Sequence, residues 1–221
     1  MSTGTRLPTL PLAATTGPRD RAQRRALARR ARALTYLGLG WHVLEAAVAI
    51  GAGVVAGSVA LIGFGADSVI EVGAGLVVLW LVTGGRVSSG YSERRAQQLI
   101  AASFVLLAAY VTVESAHDLV GGHHPATSWV GVGLAAITLA VMPPLAAAKR
   151  RVAAALESSA AASESRQTIL CAYLSAALLI GLLANAIVGW WWADPIVALL
   201  IGAVALREAR DAWHGDSCTC C

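Results

Sequence analysis

The sequence predicts an all-α membrane protein with six transmembrane helices and both termini in the cytoplasm. Only 14% of its 221 residues are charged and the mean hydropathy is +0.64, whereas soluble proteins average about 25% charged residues. Six long apolar stretches supply the helices, and the basic residues are confined to alternate connections between them. Composition thus excludes a soluble globular domain, and the distribution of charge sets the orientation.

Each apolar stretch is long enough to cross the membrane, because about 20 helical residues span a hydrocarbon core of about 30 Å. The predicted spans are residues 34–56, 59–82, 99–120, 128–148, 167–188 and 191–211. They divide the chain into a basic N-terminal segment (1–33), a six-helix domain (34–212) and a short cysteine-rich tail (213–221).

All 17 lysine and arginine residues are predicted to lie on one side of the membrane. They precede span one, separate spans two and three and spans four and five, and follow the apolar part of span six. The other connections, near Gly57, 121–127 and Gly189, contain none. By the positive-inside rule the basic side is the cytoplasm. We therefore expect a multi-pass protein of the inner (plasma) membrane, in which these residues face the lipid bilayer surface and bind no nucleic acid.

Span two carries two acidic residues, Asp67 and Glu71, in an otherwise apolar stretch. They are four residues apart, so on a helix they share a face. Each costs about 2.5 kcal/mol or more near the bilayer centre, and a bound cation or proton would relieve their mutual repulsion. The pair is interpreted as half of an intramembrane cation site; the alternative is two protonated acids that hydrogen-bond a neighbouring helix.

Span one carries His42 and Glu45, which are three residues apart and share a helix face. Histidine titrates near neutrality, so this pair could relay protons or complete a metal shell. The alternative is a hydrogen-bonded pair without ligand function.

Two further groups contain metal-ligand residue types. At the end of span three these are Glu114, His117, Asp118, His123 and His124, which could form a loose metal site but which we interpret as a solvated rim.

The second group is the C-terminal tail, which ends in HGDSCTCC and contains His214, Cys218, Cys220 and Cys221. Cysteine and histidine are typical metal ligands, so a metal-collecting or sensing tail is one interpretation. A disordered, reduced tail is the other.

Three motifs resemble those of a known family, the cation diffusion facilitators. They are SVALIGFGADSVIE at 58–71, KRRVAAALESSAAASESRQTILC at 149–171 and GWWWADPIVALLIG at 189–202. The resemblance implies export of zinc or a related divalent metal, usually in exchange for protons. It also implies a homodimer of six-helix protomers and a tetrahedral site formed by helices two and five near mid-membrane. Many members carry a cytoplasmic domain after helix six; this chain resembles a short form without it.

Carried over to this sequence, the helix-two ligands correspond to Asp67 and Glu71. The family's fifth-helix pattern is commonly His-xxx-Asp, and Gln167 and Cys171 stand at those positions here. A register shifted by one residue would instead bring in Thr168. Thiolates and carboxylates bind zinc well, whereas glutamine is a poor ligand, and an isolated cysteine in an apolar segment is often a small buried hydrophobe.

The sequence-based hypothesis is a zinc-first divalent metal exporter that works by alternating access. Asp67, Glu71, Cys171 and Gln167 would bind the ion, and protons would return on the same carboxylates. The metal is then the transported substrate and no cofactor is expected. No enzyme is predicted, because the sequence contains no nucleophile–base constellation and no phosphate-binding glycine loop. The alternative is a non-transporting membrane sensor or scaffold that uses the cysteine-rich tail.

Overall fold

The computed structural model describes residues 18–83, 90–156 and 159–214, and these form a bundle of six α-helices. The helices are α1 (Pro18–Ala56), α2 (Val59–Thr83), α3 (Gly90–Gly121), α4 (Trp129–Leu156), α5 (Ser159–Leu183) and α6 (Ala193–His214). A π-helical turn, Ala184–Val188, continues α5. The described residues contain no β-strand, which confirms the all-α prediction.

Four of these helices have segments that are long and apolar enough to cross a membrane. The segments are Ala26–Ala56, Gln98–Gly121, Trp129–Ala155 and Ser165–Val188. Helix α6 carries five charged residues, four of them crowded into 207–211, and the side chains of α2 are described mainly in its first half. The crossing of the membrane by α2 and α6, and the cytoplasmic location of both termini, remain predictions.

The helices extend beyond the predicted apolar spans at their basic ends. Helix α1 begins at Pro18 rather than at residue 34, so part of the basic N-terminal segment is continuous with the first span. Helix α4 likewise contains Pro143 and Pro144 and continues past residue 148 to Leu156. Alanine and arginine both favour helix, so these segments remain helical where hydropathy alone ends the span.

Small residues allow the helices to approach closely. Val111 of α3 lies between Gly63 of α2 and Gly202 of α6, where an added Cβ would come within 2.9 and 2.7 Å of its methyl groups. Helices α1 and α2 meet in the same way, since a Cβ on Gly65 would lie 2.9 Å from the backbone nitrogen of Ile50. Such contacts are typical of membrane helix packing, and here they bring the polar residues of α1 and α2 together.

At one end of the bundle, glycines end two helices. Gly57 and Gly122 both have φ of +65°. After each, the next backbone N–H donates to a carbonyl five residues earlier: Ser58 to Gly53 at 3.0 Å and His123 to Asp118 at 3.1 Å. These are the left-handed turns that commonly terminate helices.

The same end of the bundle is held by contacts between loops and helices. Ser58 Oγ accepts the N–H of Leu61 at 3.1 Å and donates to Asp194 of α6 at 2.5 Å, while the second carboxylate oxygen of Asp194 accepts the N–H of Ala60 at 3.2 Å. Asp194 therefore helps cap α2, which orients the helix that carries Asp67 and Glu71. The loop before α4 is tied to α1 through the N–H of Ala126 and the carbonyl of Ala56, 2.8 Å apart.

The close approach of α1 and α2 predicts different effects for two glycines of the same helix. We expect Gly65→Ala to lower thermal stability in detergent, because its methyl group would collide with the α1 backbone at Ile50. Overpacking of this kind typically costs about 1–3 kcal/mol. Gly73→Ala is the matched control, since no described heavy atom lies within 4 Å of its added Cβ. Equal melting temperatures for the two variants would contradict this packing.

Candidate metal centre

The carboxylate of Glu45 is the centre of a buried polar group formed by several helices. Glu45 is fully buried, with 0% of its surface exposed. One oxygen accepts a hydrogen bond from Thr138 Oγ1 of α4 at 2.6 Å, and the other accepts one from Ser68 Oγ of α2 at 2.9 Å. This side chain, which the sequence analysis paired with His42 as a possible proton relay or part of a metal shell, thus joins α1, α2 and α4.

His42 connects Glu45 to Glu71. Its Nδ1 lies 3.1 Å from Oε2 of Glu45 and 3.0 Å from Oε2 of Glu71. One ring hydrogen cannot serve both carboxylates in good geometry, and the hydrogen bond is made with Glu45. Oε2 of Glu71 is buried within ion-pair distance of His42 but makes no well-aligned hydrogen bond with the described residues.

Cys171 of α5 approaches the same carboxylate. Its Sγ lies 3.7 Å from Oε2 of Glu45, and the residue is 1% exposed. The ligand atoms of His42, Glu45 and Cys171 all lie within 4.8 Å of one another. The structure thus brings together residues that the sequence had assigned to two separate groups.

Asp67 adds a further negative charge to this region. It is buried, lies one turn before Glu71 on α2, and interacts electrostatically with Glu71, His42 and Glu45. Glu208 of α6 also lies close enough to interact with Asp67. Among the interactions described for Asp67, His42 is the one basic partner, so these side chains carry excess negative charge when all are ionised.

The group lies deep inside the bundle. Glu45 is eleven residues before the end of α1 at Ala56, which is about 16 Å at 1.5 Å per residue. Glu71 is twelve residues after the start of α2 at Val59, which is about 18 Å. Each distance is about half the thickness of a hydrocarbon core, which is about 30 Å.

The other residues predicted for the metal site make no described contact with Glu45 or Glu71. Gln167 is half-buried one turn before Cys171, and no hydrogen bond or ion pair with Glu45 or Glu71 is seen for it within the described parts of the chain. The neighbouring Thr168, the residue favoured by a shifted register, accepts a hydrogen bond from Lys149 Nζ at 3.1 Å. Cys218, Cys220, Cys221 and the side chain of His214 lie outside the described residues.

The sequence interpretation missed Ser68 and Thr138. Both are hydroxyl residues within long apolar spans, and both donate to Glu45. Their signal was weak, because a serine or threonine can satisfy its hydroxyl on the backbone of its own helix. Thr112 does so, donating to the carbonyl of Ala108 at 2.6 Å.

Comparison with known proteins gives one family. Residues 37–212 match the model of the cation efflux transmembrane domain, which covers most of the chain. No significantly similar curated protein is found. The matched segment contains His42, Glu45, Ser68, Thr138 and Cys171, together with the glycines at the close helix contacts. The chain therefore belongs to the cation efflux family and is a multi-pass membrane protein for the efflux of metal cations.

Proposed function

We propose that this protein exports a divalent metal ion, with zinc as the first candidate, in exchange for protons. The ion would bind at the inner cluster, which we define as His42, Glu45, Asp67, Glu71 and Cys171. The observation that carries the proposal is the convergence of two buried carboxylates on Nδ1 of His42, 3.1 Å from Glu45 and 3.0 Å from Glu71, where Oε2 of Glu71 makes no well-aligned hydrogen bond with the described residues. A cation shared by these side chains would satisfy that oxygen.

The spacing of the ligand atoms suits zinc. Zinc is usually tetrahedral, with bonds of about 2.0–2.3 Å to nitrogen, oxygen and sulfur, so its ligand atoms lie about 3.3–3.7 Å apart. Nδ1 of His42 is 3.0 Å from Glu71 and 3.1 Å from Glu45, and Sγ of Cys171 is 3.7 Å from Glu45. Small side-chain rotations would bring these atoms around one ion. Iron(II), cobalt and nickel share part of this ligand preference.

The inner cluster also explains how the chain tolerates its departure at helix five. The resemblance led us to expect a histidine and a carboxylate there, and Gln167 and Cys171 stand in their place. Helix α1 supplies both missing ligand types, as His42 and Glu45, beside Glu71 and Cys171. We propose that these residues replace the usual helix-five ligands. Gln167, one turn away, would be at most a weaker accessory ligand.

Proton exchange follows from competition for the same atoms. Three carboxylates and one imidazole share a small buried volume, so binding of a divalent ion would displace protons from them, and protonation would release the ion. Alternating exposure of the cluster to the two sides of the membrane would convert this competition into exchange. A homodimer is the assembly that the family resemblance implies, and we retain it as part of the proposal.

The first test is metal flux into proteoliposomes under an imposed pH gradient. We expect zinc flux by the wild type, and a loss of at least about tenfold for Asp67→Ala, Glu71→Ala and Glu45→Gln, by analogy with the 10–100-fold effects of changes around metal sites. Glu45→Gln keeps a side chain of the same shape that can still hydrogen-bond Thr138. Glu114→Gln on α3 is the matched control, because it also removes an acid from a membrane span but lies outside the inner cluster.

Three outcomes would contradict all or part of the proposal. Absence of wild-type flux with zinc, cobalt, iron(II) and manganese would reject transport of these ions, and a metal response lost on deletion of Ser217–Cys221 would then favour the sensor alternative. Wild-type flux that survives Glu45→Gln but not Glu71→Ala would keep transport and exclude Glu45 from the ligands. Loss of pH-gradient dependence, with flux retained, would reject proton exchange alone.

Cys171 gives a separate prediction about metal preference. A thiolate favours softer ions such as zinc, whereas a carboxylate suits harder ions such as manganese. We therefore expect Cys171→Asp to lower the ratio of zinc to manganese flux by about tenfold or more, a change of about 1.4 kcal/mol in relative binding. Gln167→Ala is the control on the same helix and should leave the ratio nearly unchanged. An unchanged ratio in Cys171→Asp would identify Cys171 as a packing residue.

A further inference from the structure

The end of α3 carries a second group of metal-ligand side chains, separate from the inner cluster. It consists of His117 and Asp118 in the last turn of α3 and His123 in the following loop, and we call it the α3-end cluster. The three ligand atoms lie within 4.8 Å of one another. The sequence interpretation favoured a solvated rim over a loose metal site, because residues of these types at a helix end are more often a rim.

The backbone returns His123 to the end of α3. Gly122 adopts a left-handed conformation with φ of +65°, and the N–H of His123 then donates to the carbonyl of Asp118 at 3.1 Å. As a result, Nδ1 of His117 and Nδ1 of His123 lie 3.9 and 4.0 Å from the same oxygen of Asp118. The two imidazole rings lie on a common side, with centroids 5.6 Å apart.

The aspartate and the two histidines of the α3-end cluster differ in solvent exposure. The side chain of Asp118 is only 11% exposed, whereas those of His117 and His123 are 67% and 68% exposed. The carboxylate is thus held by the fold, and the imidazoles can rotate towards it without disturbing the core. Tetrahedral zinc with bonds of about 2.0–2.1 Å places its nitrogen and oxygen ligands about 3.3 Å apart, so shifts of less than about 1 Å would suffice.

We propose that the α3-end cluster is a second binding site for a divalent cation that prefers nitrogen and oxygen ligands, such as zinc. Two imidazoles and one carboxylate are a recurrent zinc ligand set, and a water molecule fills the fourth position. An open, exposed site of this kind exchanges its ion readily. In the predicted orientation it faces the side of the membrane from which exported ions leave.

Occupancy would also brace this end of the bundle. The ion would join α3 to the loop before α4, and that loop already contacts three other elements. Ala126 bonds to the end of α1 at 2.8 Å, the carbonyl of Pro125 accepts from Asn185 of the π-helical turn at 3.0 Å, and His124 packs against Trp191 with ring centroids 5.0 Å apart. Metal binding should therefore slow amide hydrogen exchange in residues 122–128.

The test is zinc protection of individual histidines from carbethoxylation, measured by mass spectrometry on the full chain in detergent. We expect His117 and His123 to be protected together at one zinc concentration, and His124 to be unaffected. Asp118→Asn should raise the zinc concentration needed by about tenfold or more. His124→Gln is the matched control, since it changes a neighbouring exposed histidine outside the α3-end cluster. Zinc should slow amide exchange in the wild type and not in Asp118→Asn.

This test is independent of transport. Glu45→Gln, which disables the inner cluster, should leave protection of His117 and His123 intact, so failure of the flux proposal would not remove the second site. The proposal is overturned if millimolar zinc protects neither histidine in the wild type. It is also overturned if Asp118→Asn is protected as well as the wild type, or if His124 is protected to the same extent.

Discussion

The burial of the Glu45 carboxylate is the constraint on which the site depends. A carboxylate near the middle of a membrane bundle is costly unless its oxygens are hydrogen-bonded or paired. Hydroxyl groups from Ser68 and Thr138 and the imidazole of His42 meet this requirement. They come from α2, α4 and α1, so satisfying one charge fixes the mutual position of three helices and brings Cys171 of α5 into contact.

The scaffold supports this arrangement by two different means. Midway along the helices, the absence of a side chain at Gly65 lets the α2 backbone approach Ile50 of α1, and the polar residues of both helices then share one interior. At the end without basic residues, Asp194 caps α2 from α6 and the loop before α4 is bonded to α1. Packing sets the distance between the helices, and capping sets where each helix begins.

The two groups of proposed ligands differ in burial. In the inner cluster the excess negative charge is removed from water, so a cation or protons must compensate it, and the two compete. In the α3-end cluster only Asp118 is buried, and its histidines remain largely hydrated. If both groups bind metal as proposed, the first would hold its ion tightly and in competition with protons, and the second would exchange its ion rapidly.

The sequence by itself determined the helical class and the approximate helices, and it singled out two acids of the buried polar group. Long apolar spans can be recognised from composition, and Asp67 and Glu71 stand out because charge is rare within them. It did not determine how far the helices continue into the basic segments beside the apolar spans. Helix α1, for example, begins at Pro18, well before its apolar span. Nor did the sequence show that His42, Glu45 and Cys171 meet. That depends on contacts between α1, α2, α4 and α5, and periodicity within one helix specifies which face a residue occupies but not which helix it will face.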